Sequence, residues 1–276
     1  MIDWRALSIA MLLAAGCVAA APAPPKVAHV TIVMMENRNY PLVVGNAGAP
    51  YLNGTLIPQG VLLTNMHAIR HPSEPNYLAL FSGSTHGVTD DSCPHTYATA
   101  NLASELAAAG LTFGGYAESM PSAGFQGCWG SGGLYGRKHI PWPNFSNVPA
   151  SESSLYKGAM PSPMPSLAWI VPNMCHDMHD CSTRTGDDWL AKNLPPIVAW
   201  NAKNDGLLIV TWDEADPDQD GLNRIPTVLV GPMLVPGKNG ANVNLYNLMH
   251  TVEWVFNLPC IADECNAAPL AGIWVR

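Results

Sequence analysis

Val27-Ala-His-Val-Thr-Ile-Val-Met-Met35 runs directly into Glu36-Asn37, and Gly206-Leu-Leu-Ile-Val-Thr-Trp212 runs directly into Asp213-Glu214. Both apolar runs have the length and β-branched content of strands buried on two faces, and each stops on a pair of oxygen-bearing side chains. In an open α/β sheet, ligands bind in the crevice beyond the carboxyl ends of the strands, so the four polar groups are expected to converge there. Three carboxylates and an amide do not crowd together uncompensated. Their repulsion drives one of them toward protonation, and a hard divalent cation removes it most simply.

Working outward, the 276 residues with 48% hydrophobic content suit one α/β domain, although length alone also allows two smaller ones. The expected architecture is a single domain with a mainly parallel sheet and helices on both faces. A strand is expected at Val61 to Asn65, a helix at Asn76 to Ser82 behind Pro75, a helix at Asn101 to Ala109 closed by Gly110, and a strand at Leu111 to Tyr116. Residues 119 to 168 are rich in Gly, Pro, Ser and aromatics without sustained periodicity. They read as long ordered loops over the active-site end, either a lid or substrate wall or an insertion without such a role. Regular structure is expected again as a helix near Asp187 to Ala202, a strand at Thr227 to Val230 and a helix near Leu245 to Phe256.

Net charge is −8 and only 12% of residues are charged, so no basic field exists to attract polyanions, and nucleic acid is not expected as a partner. Residues 1–21 read as a secretion signal: an apolar stretch from Ala6 to Ala15, then Ala19-Ala20-Ala21 as the small-residue cleavage site. That stretch is about half the roughly 20 residues a membrane-spanning helix needs, so no stable membrane insertion is expected. Leu13-Ala-Ala-Gly-Cys17 loosely resembles a lipoprotein cleavage box with its leucine one place early, which leaves lipid anchoring through Cys17 as an alternative to a free periplasmic or secreted protein of residues 22–276. Six further cysteines are an even number for an exported chain and point to disulfides. Six cysteines allow 15 connectivities; one of them joins Cys175 with Cys181 and Cys260 with Cys265 in short closures and leaves Cys93 for Cys128, and six buried free thiols are the alternative. No CxxC spacing supports a thiolate zinc site.

Between the acidic pairs lies His71-Pro-Ser-Glu-Pro-Asn76. A hydroxyl just ahead of a helix start sits beside free amides and the positive end of the dipole, which favour a bound anion. Ser73 is therefore the candidate nucleophile, and its plain alternative is an ordinary N-cap. Asp216-Pro-Asp-Gln-Asp-Gly221 opens like a calcium loop but has Thr227 at the twelfth position, so a solvated acidic turn is the preferred reading. His250 falls nearly opposite the apolar stripe of its helix and is not a core histidine.

Taken together, Met35-Glu-Asn-Arg-Asn-Tyr40, His71-Pro-Ser-Glu-Pro-Asn-Tyr77, Trp169-Ile-Val-Pro-Asn173, Asp177-Met-His-Asp180 and Thr211-Trp-Asp-Glu214 resemble the bacterial phosphoesterase family of acid phosphatases and phospholipases C, within the alkaline phosphatase superfamily. The resemblance runs from about residue 27 to residue 260. It implies one divalent metal held by Glu36, Asn37, Asp213 and Glu214, with the Ser73 hydroxyl completing the site. Four oxygen ligands favour Ca, Mg or Mn without excluding Zn or Fe. It implies a phosphoserine intermediate at Ser73, because a metal-bound hydroxyl loses its proton more easily and is aimed at phosphorus. Ser73-Glu-Pro-Asn76 also looks like the nucleophile segment of nucleotide pyrophosphatases, which gives Asn76 the role of contacting a phosphoryl oxygen. Asp177 and His179 match family positions, with His179 as acid or phosphate contact and a carboxylate orienting it. A second metal site or a purely structural loop stays open for that segment. Lys138-His-Ile-Pro141 is similar to a Lys-His-Asn-Pro motif of the phospholipase branch, which makes His139 a candidate for the phosphate pocket; Ile140 replaces the Asn, and an exposed loop histidine is the equal alternative. The expected activity is phosphomonoester hydrolysis on a small phosphate ester, since the chain lacks the extra carboxyl-terminal domains of the phospholipase members. Phosphodiester or phospholipid cleavage is the alternative, and a non-catalytic secreted metal-binding protein is the reading from another class.

Overall fold

The computed structural model describes residues 23–275 apart from 131, 219 and 220. The expected signal, Cys17 and part of the Asp216–Gly221 loop therefore lie outside the described residues. Ten strands form in chain order: β1 (His29–Met35), β2 (Val61–Leu63), β3 (Met66–His67), β4 (Phe113–Glu118), β5 (Ser153–Tyr156), β6 (Leu167–Val171), β7 (Gly206–Trp212), β8 (Thr227–Val230), β9 (Gly237–Asn239) and β10 (Val243–Asn244). Eight of them make one sheet in the order β5-β4-β6-β1-β7-β8-β2-β9, and β10 pairs with β3 separately. Pairing is parallel from β5 through β7, and β8 is antiparallel to both β7 and β2.

Every residue of β6 and β7 is buried, as are six of the seven in β1. Strands covered on both faces need no alternation, which is why they read as continuous apolar runs. The β1–β7 register pairs His29 with Gly206 and Met35 with Trp212. In-register parallel pairing therefore brings Glu36 level with Asp213 and Asn37 level with Glu214 just past the sheet.

The helices are α1 (Ile57–Gln59), α2 (Glu74–Ser82), α3 (Leu102–Ala108), α4 (Thr183–Asn201) and α5 (Leu245–Val255). Asn101 caps α3 and Asn244 caps α5, each in a capping box, which satisfies first-turn amides that have no intrahelical partner. α4 begins four residues earlier than the sequence suggested, because Ser182 accepts from the Thr185 N–H and sets its start. Gly186 in its first turn is a packing requirement: a Cβ there would lie 2.4 Å from Met178 Cγ. The stretch 119–168 is mostly loop and short 3-10 turns, as expected, but it also contains β5 and runs into β6, the inner neighbour of β1. Among the described residues three disulfides form, Cys93–Cys128, Cys175–Cys181 and Cys260–Cys265. Among the described residues no helix is long and apolar enough to cross a membrane.

Candidate active site

Glu36 and Asn37 leave β1 through a left-handed turn, with Asn37 at φ 43°, a region Asn tolerates better than most residues. The turn folds the Asn37 side chain back beside Glu36. The Asn37 N–H donates to Asp213 Oδ1 at 3.1 Å, and the Asp213 N–H donates to the Met35 carbonyl at 3.1 Å. Ser73 Oγ lies 3.0 Å from Glu36 Oε2 and 3.2 Å from Glu214 Oε1. Ser73 is the N-cap residue of α2 but makes no side-chain cap bond, so the ordinary capping role is not the one its hydroxyl performs. Nor are the first amides of α2 free, as the sequence had suggested. The Glu74 N–H donates to Asp91 Oδ1, Pro75 has none, and the Asn76 N–H donates to the Ser73 carbonyl. What α2 offers an anion is the positive end of its dipole.

The donor set fits a divalent cation. As placed, the Asn37 amide oxygen lies 2.9 Å from Glu214 Oε1 and 3.3 Å from Glu36 Oε2, an acceptor facing two acceptors. Turning the amide over would let its NH2 donate to both; a cation among these oxygens satisfies them without the turn. The single Ser73 proton serves only one of its two carboxylates, and Asp213 Oδ2 is buried with no partner. Glu36 and Asp213 are fully buried and Glu214 is 5% exposed. Burial first, and then the charges of Asp213 and Asp177, push Glu36 well above the usual carboxylate range. Burial and then Glu214 do the same to Asp213. For Glu214, burial raises the value against the hydrogen bond and charge of His71.

The disulfide-closed loop Cys175–Cys181 is pinned over β1 by the Glu36 N–H, which donates to the Asp177 carbonyl at 2.8 Å. Here the structure corrects three assignments. Asp177 does not orient the His179 ring: its Oδ1 accepts the His179 N–H at 2.7 Å, while its Oδ2 lies 3.2 Å from His139 Nδ1. Asp180 takes His179 Nδ1 instead, at 2.7 Å. His139 is not an exposed loop histidine, and it does not open toward solvent where a phosphate would enter. It is 2% exposed, stacked on Tyr77, and wedged between Asp177 and Glu36 Oε1, 3.1 Å from its Nε2. Burial, then Lys138 and His179, hold its pKa well below the usual imidazole range, and its Nε2 and Glu36 Oε1 face one another with no hydrogen bond between them. Asn76 is fully buried, with both ends of its amide spent on the loop before α2: Oδ1 accepts from the Ile69 and Arg70 N–H groups, and Nδ2 donates to the Arg70 and Pro72 carbonyls. It shapes the turn that presents Ser73 and has no hydrogen left for a phosphoryl oxygen.

Two residues that the sequence left without roles enter the site. His71 Nδ1 makes a short contact with Glu214 Oε2, and its Nε2 lies 3.4 Å from Asp218 Oδ2. Lys138 Nζ lies 2.9 Å from Asp91 Oδ2 and 3.2 Å from His179 Nε2. Burial works against its charge, yet Asp91, Glu36 and Asp213 outweigh that and raise its pKa. Since an ammonium only donates, His179 Nε2 accepts and Nδ1 carries the proton toward Asp180. Glu36, His139 and His179 also place ligand atoms within 4.8 Å of one another, and the Lys138 ammonium already supplies a positive charge at that edge. The signal for both residues was in the sequence, as neighbours of Ser73 and His139 in the quoted motifs. Asp216–Gly221 does not behave as an open calcium loop over its described part, since Asp218 Oδ2 also accepts the Asn223 N–H.

The Phosphoesterase family model matches residues 48–259. A phosphatidylinositol-3-phosphatase of Mycobacterium tuberculosis is 42% identical over 98% of this chain and 94% of its own length. An acid phosphatase of Aspergillus fumigatus is 29% identical over 85% of this chain, which spans 56% of that longer protein. Among solved structures, an alkaline phosphatase superfamily protein from Vibrio parahaemolyticus superposes with a TM-score of 0.59 at 12% identity, covering 90% of this chain and 71% of the other, a likeness of fold. With this sheet and these motifs, the chain belongs to the phosphoesterase family, hydrolases of phosphoric ester bonds built on the alkaline phosphatase fold.

Proposed function

We propose that this chain hydrolyses phosphomonoesters by double displacement through a phosphoserine at Ser73. The observation that carries the reading is the Ser73 hydroxyl, turned away from capping α2 and into a buried cluster of acceptor oxygens. Glu36 and Glu214 are within reach of its proton as the oxygen attacks phosphorus and the leaving alkoxide departs. Glu36, Asn37, Asp213 and Glu214 would hold the divalent cation, which when bound supplies a more acidic hydroxyl and offsets phosphoryl charge. His71 fixes one oxygen of Glu214, so that carboxylate keeps its aim, and His139, held by Asp177, packs against the far side of Glu36. Lys138 faces the developing negative charge, and its ammonium, held by Asp91 and His179, can deliver a proton to the alkoxide and take one back from the attacking water. Water then attacks the phosphoserine with the same groups in reverse roles.

The monoester preference is supported by relatives named as phosphatases. The three disulfides support export to an oxidising compartment. The test is nitrophenol release from nitrophenyl phosphate and from its bis-ester, with and without chelator. Chelator-sensitive turnover of the monoester is expected. Preference for the diester would move the assignment to a phosphodiesterase, and turnover indifferent to full metal removal would sink the cation's role.

A further inference from the structure

The first amide of the helix that presents Ser73 is held from outside that helix. Asp91 Oδ1 accepts the Glu74 N–H at 3.0 Å, so a carboxylate on a separate loop takes the place of an N-cap side chain. The Ser73 hydroxyl, which makes no cap bond of its own, is left free for the oxygen cluster. The other oxygen of the same carboxylate, Oδ2, accepts from Lys138 Nζ at 2.9 Å. One side chain therefore touches both the helix of the nucleophile and the ammonium that faces the developing charge.

Both partners of this pair are clamped. The Lys138 side chain is 10% exposed and that of Asp91 28%, so the pair escapes much of the screening that makes surface ion pairs weak. Cys93, two residues after Asp91, is bonded to Cys128, and the Cys128 carbonyl accepts the Arg137 N–H at 2.9 Å, one residue before Lys138. The disulfide thus ties together the two segments that carry the pair. Arg137 adds a strap from its guanidinium to the His95 carbonyl at 3.2 Å, and His95 Nε2 lies 3.5 Å from Glu74 Oε2. Burial works against the Lys138 charge; the bond from Asp91 and then the Asp91 charge oppose it most, ahead of Glu36 and Asp213. On its other side Lys138 meets His179 Nε2 at 3.2 Å, which accepts without adding a negative charge. The charge of Asp91 is felt in turn by Glu214, one of the two carboxylates beside Ser73.

We infer that Asp91 is a positioning residue for the first half-reaction, fixing the Lys138 ammonium relative to Ser73 so that it meets the leaving oxygen as the serine attacks. The inference rests on the phosphomonoesterase reading and adds the step that depends on the pair. In that step Ser73 Oγ bonds to phosphorus, its proton passes to Glu36 or Glu214, and the bond from phosphorus to the leaving oxygen breaks. The Lys138 proton goes to that oxygen, and the amine left behind recovers a proton from the water that opens the phosphoserine. An alkoxide is too basic to leave readily without a proton, whereas nitrophenolate departs without one. Loss of Asp91 is therefore felt most by esters of ordinary alcohols. A carboxylate that served only to cap the helix would affect both kinds of ester equally.

The experiment measures kcat/KM, which covers the steps up to departure of the leaving group, for glycerol 2-phosphate and for nitrophenyl phosphate. The proteins are the full chain, Asp91→Asn, Asp91→Glu, Lys138→Met and the double variant Asp91→Asn/Lys138→Met. Asn at this position keeps an acceptor for the Glu74 N–H, so the helix keeps its cap. In Asp91→Asn the ratio of glycerol 2-phosphate to nitrophenyl phosphate should fall roughly tenfold, the scale of one lost charged hydrogen bond, and Asp91→Glu should restore most of it. In the Lys138→Met background the Asp91→Asn change should move the ratio no further. An unchanged ratio in Asp91→Asn, or an equal further fall without Lys138, overturns the inference while nitrophenyl phosphate is still hydrolysed. Hydrolysis of neither ester by the unmutated chain overturns the phosphomonoesterase reading itself.

Discussion

Replacing Glu253 by Gln should stabilise this protein at neutral pH and leave it nearly unchanged in acid. Glu253 sits on the inner side of α5 with Glu264 beside it, both fully buried. Burial first, and then the hydrogen bond and charge of Glu264, push its carboxyl from an ordinary 4.5 to about 10. The folded state thus keeps a proton that the unfolded chain releases above its ordinary value. A raised folded pKa contributes stability that is complete below the unfolded pKa and is lost as pH climbs toward the folded one. The loss accrues at ~1.4 kcal/mol per pH unit, so by pH 7 it is about 3 kcal/mol, and it continues up to about pH 10. Gln keeps the shape of a protonated Glu and a donor toward Glu264 without the titration. Thermal unfolding of both proteins from pH 4 to pH 8 is the assay. The Tm of the parent should fall by several degrees relative to Glu253→Gln across that range. Parallel curves would show that Glu253 is not held protonated and would refute the reasoning.

Three other variants probe the site. Asp213→Ala should lose bound metal, read by elemental analysis, together with activity, while keeping its three disulfides and far-UV spectrum; full occupancy would remove Asp213 from the ligand set. Asn76→Ala should cost about 2 to 4 kcal/mol in denaturant unfolding, because several buried loop hydrogen bonds lose their partner, and a drop in kcat without loss of stability would return Asn76 to the substrate. Lys138→Met should lower kcat roughly 10² to 10³-fold with the fold intact, the scale of a lost charge-stabilising donor, and near-normal kcat would remove Lys138 from the chemistry.

The sheet centre was legible because β1 and β7 are long apolar runs that end on the very residues that matter, and the in-register pairing of Met35 with Trp212 turned two sequence endings into one cluster. Ser73 was legible through its place before Pro75 and the helix. β6 was not, since five fully buried residues carry no periodicity and follow a proline-rich loop that masks the strand. The roles of Asp177, His139 and Asn76 were misread for a different reason: a motif fixes which residues meet, and only the fold fixes which atom faces which. The partition of two carboxylates between two imidazoles depends on how the Cys175–Cys181 loop lies over β1, a long-range contact no local pattern encodes. Lys138 and His71 act through Asp91 and Glu214, distant in sequence, so their chemistry emerges only once those contacts form.

The central claim is that Ser73 carries the phosphoryl group between the two half-reactions. Acid quenching during turnover of a phosphomonoester, followed by proteolysis and mass spectrometry, tests it most directly. A phosphorylated peptide containing Ser73 is expected from the parent chain, and neither that peptide nor turnover from Ser73→Ala. Undiminished turnover in Ser73→Ala, or a phosphoryl group trapped on another residue, would contradict it.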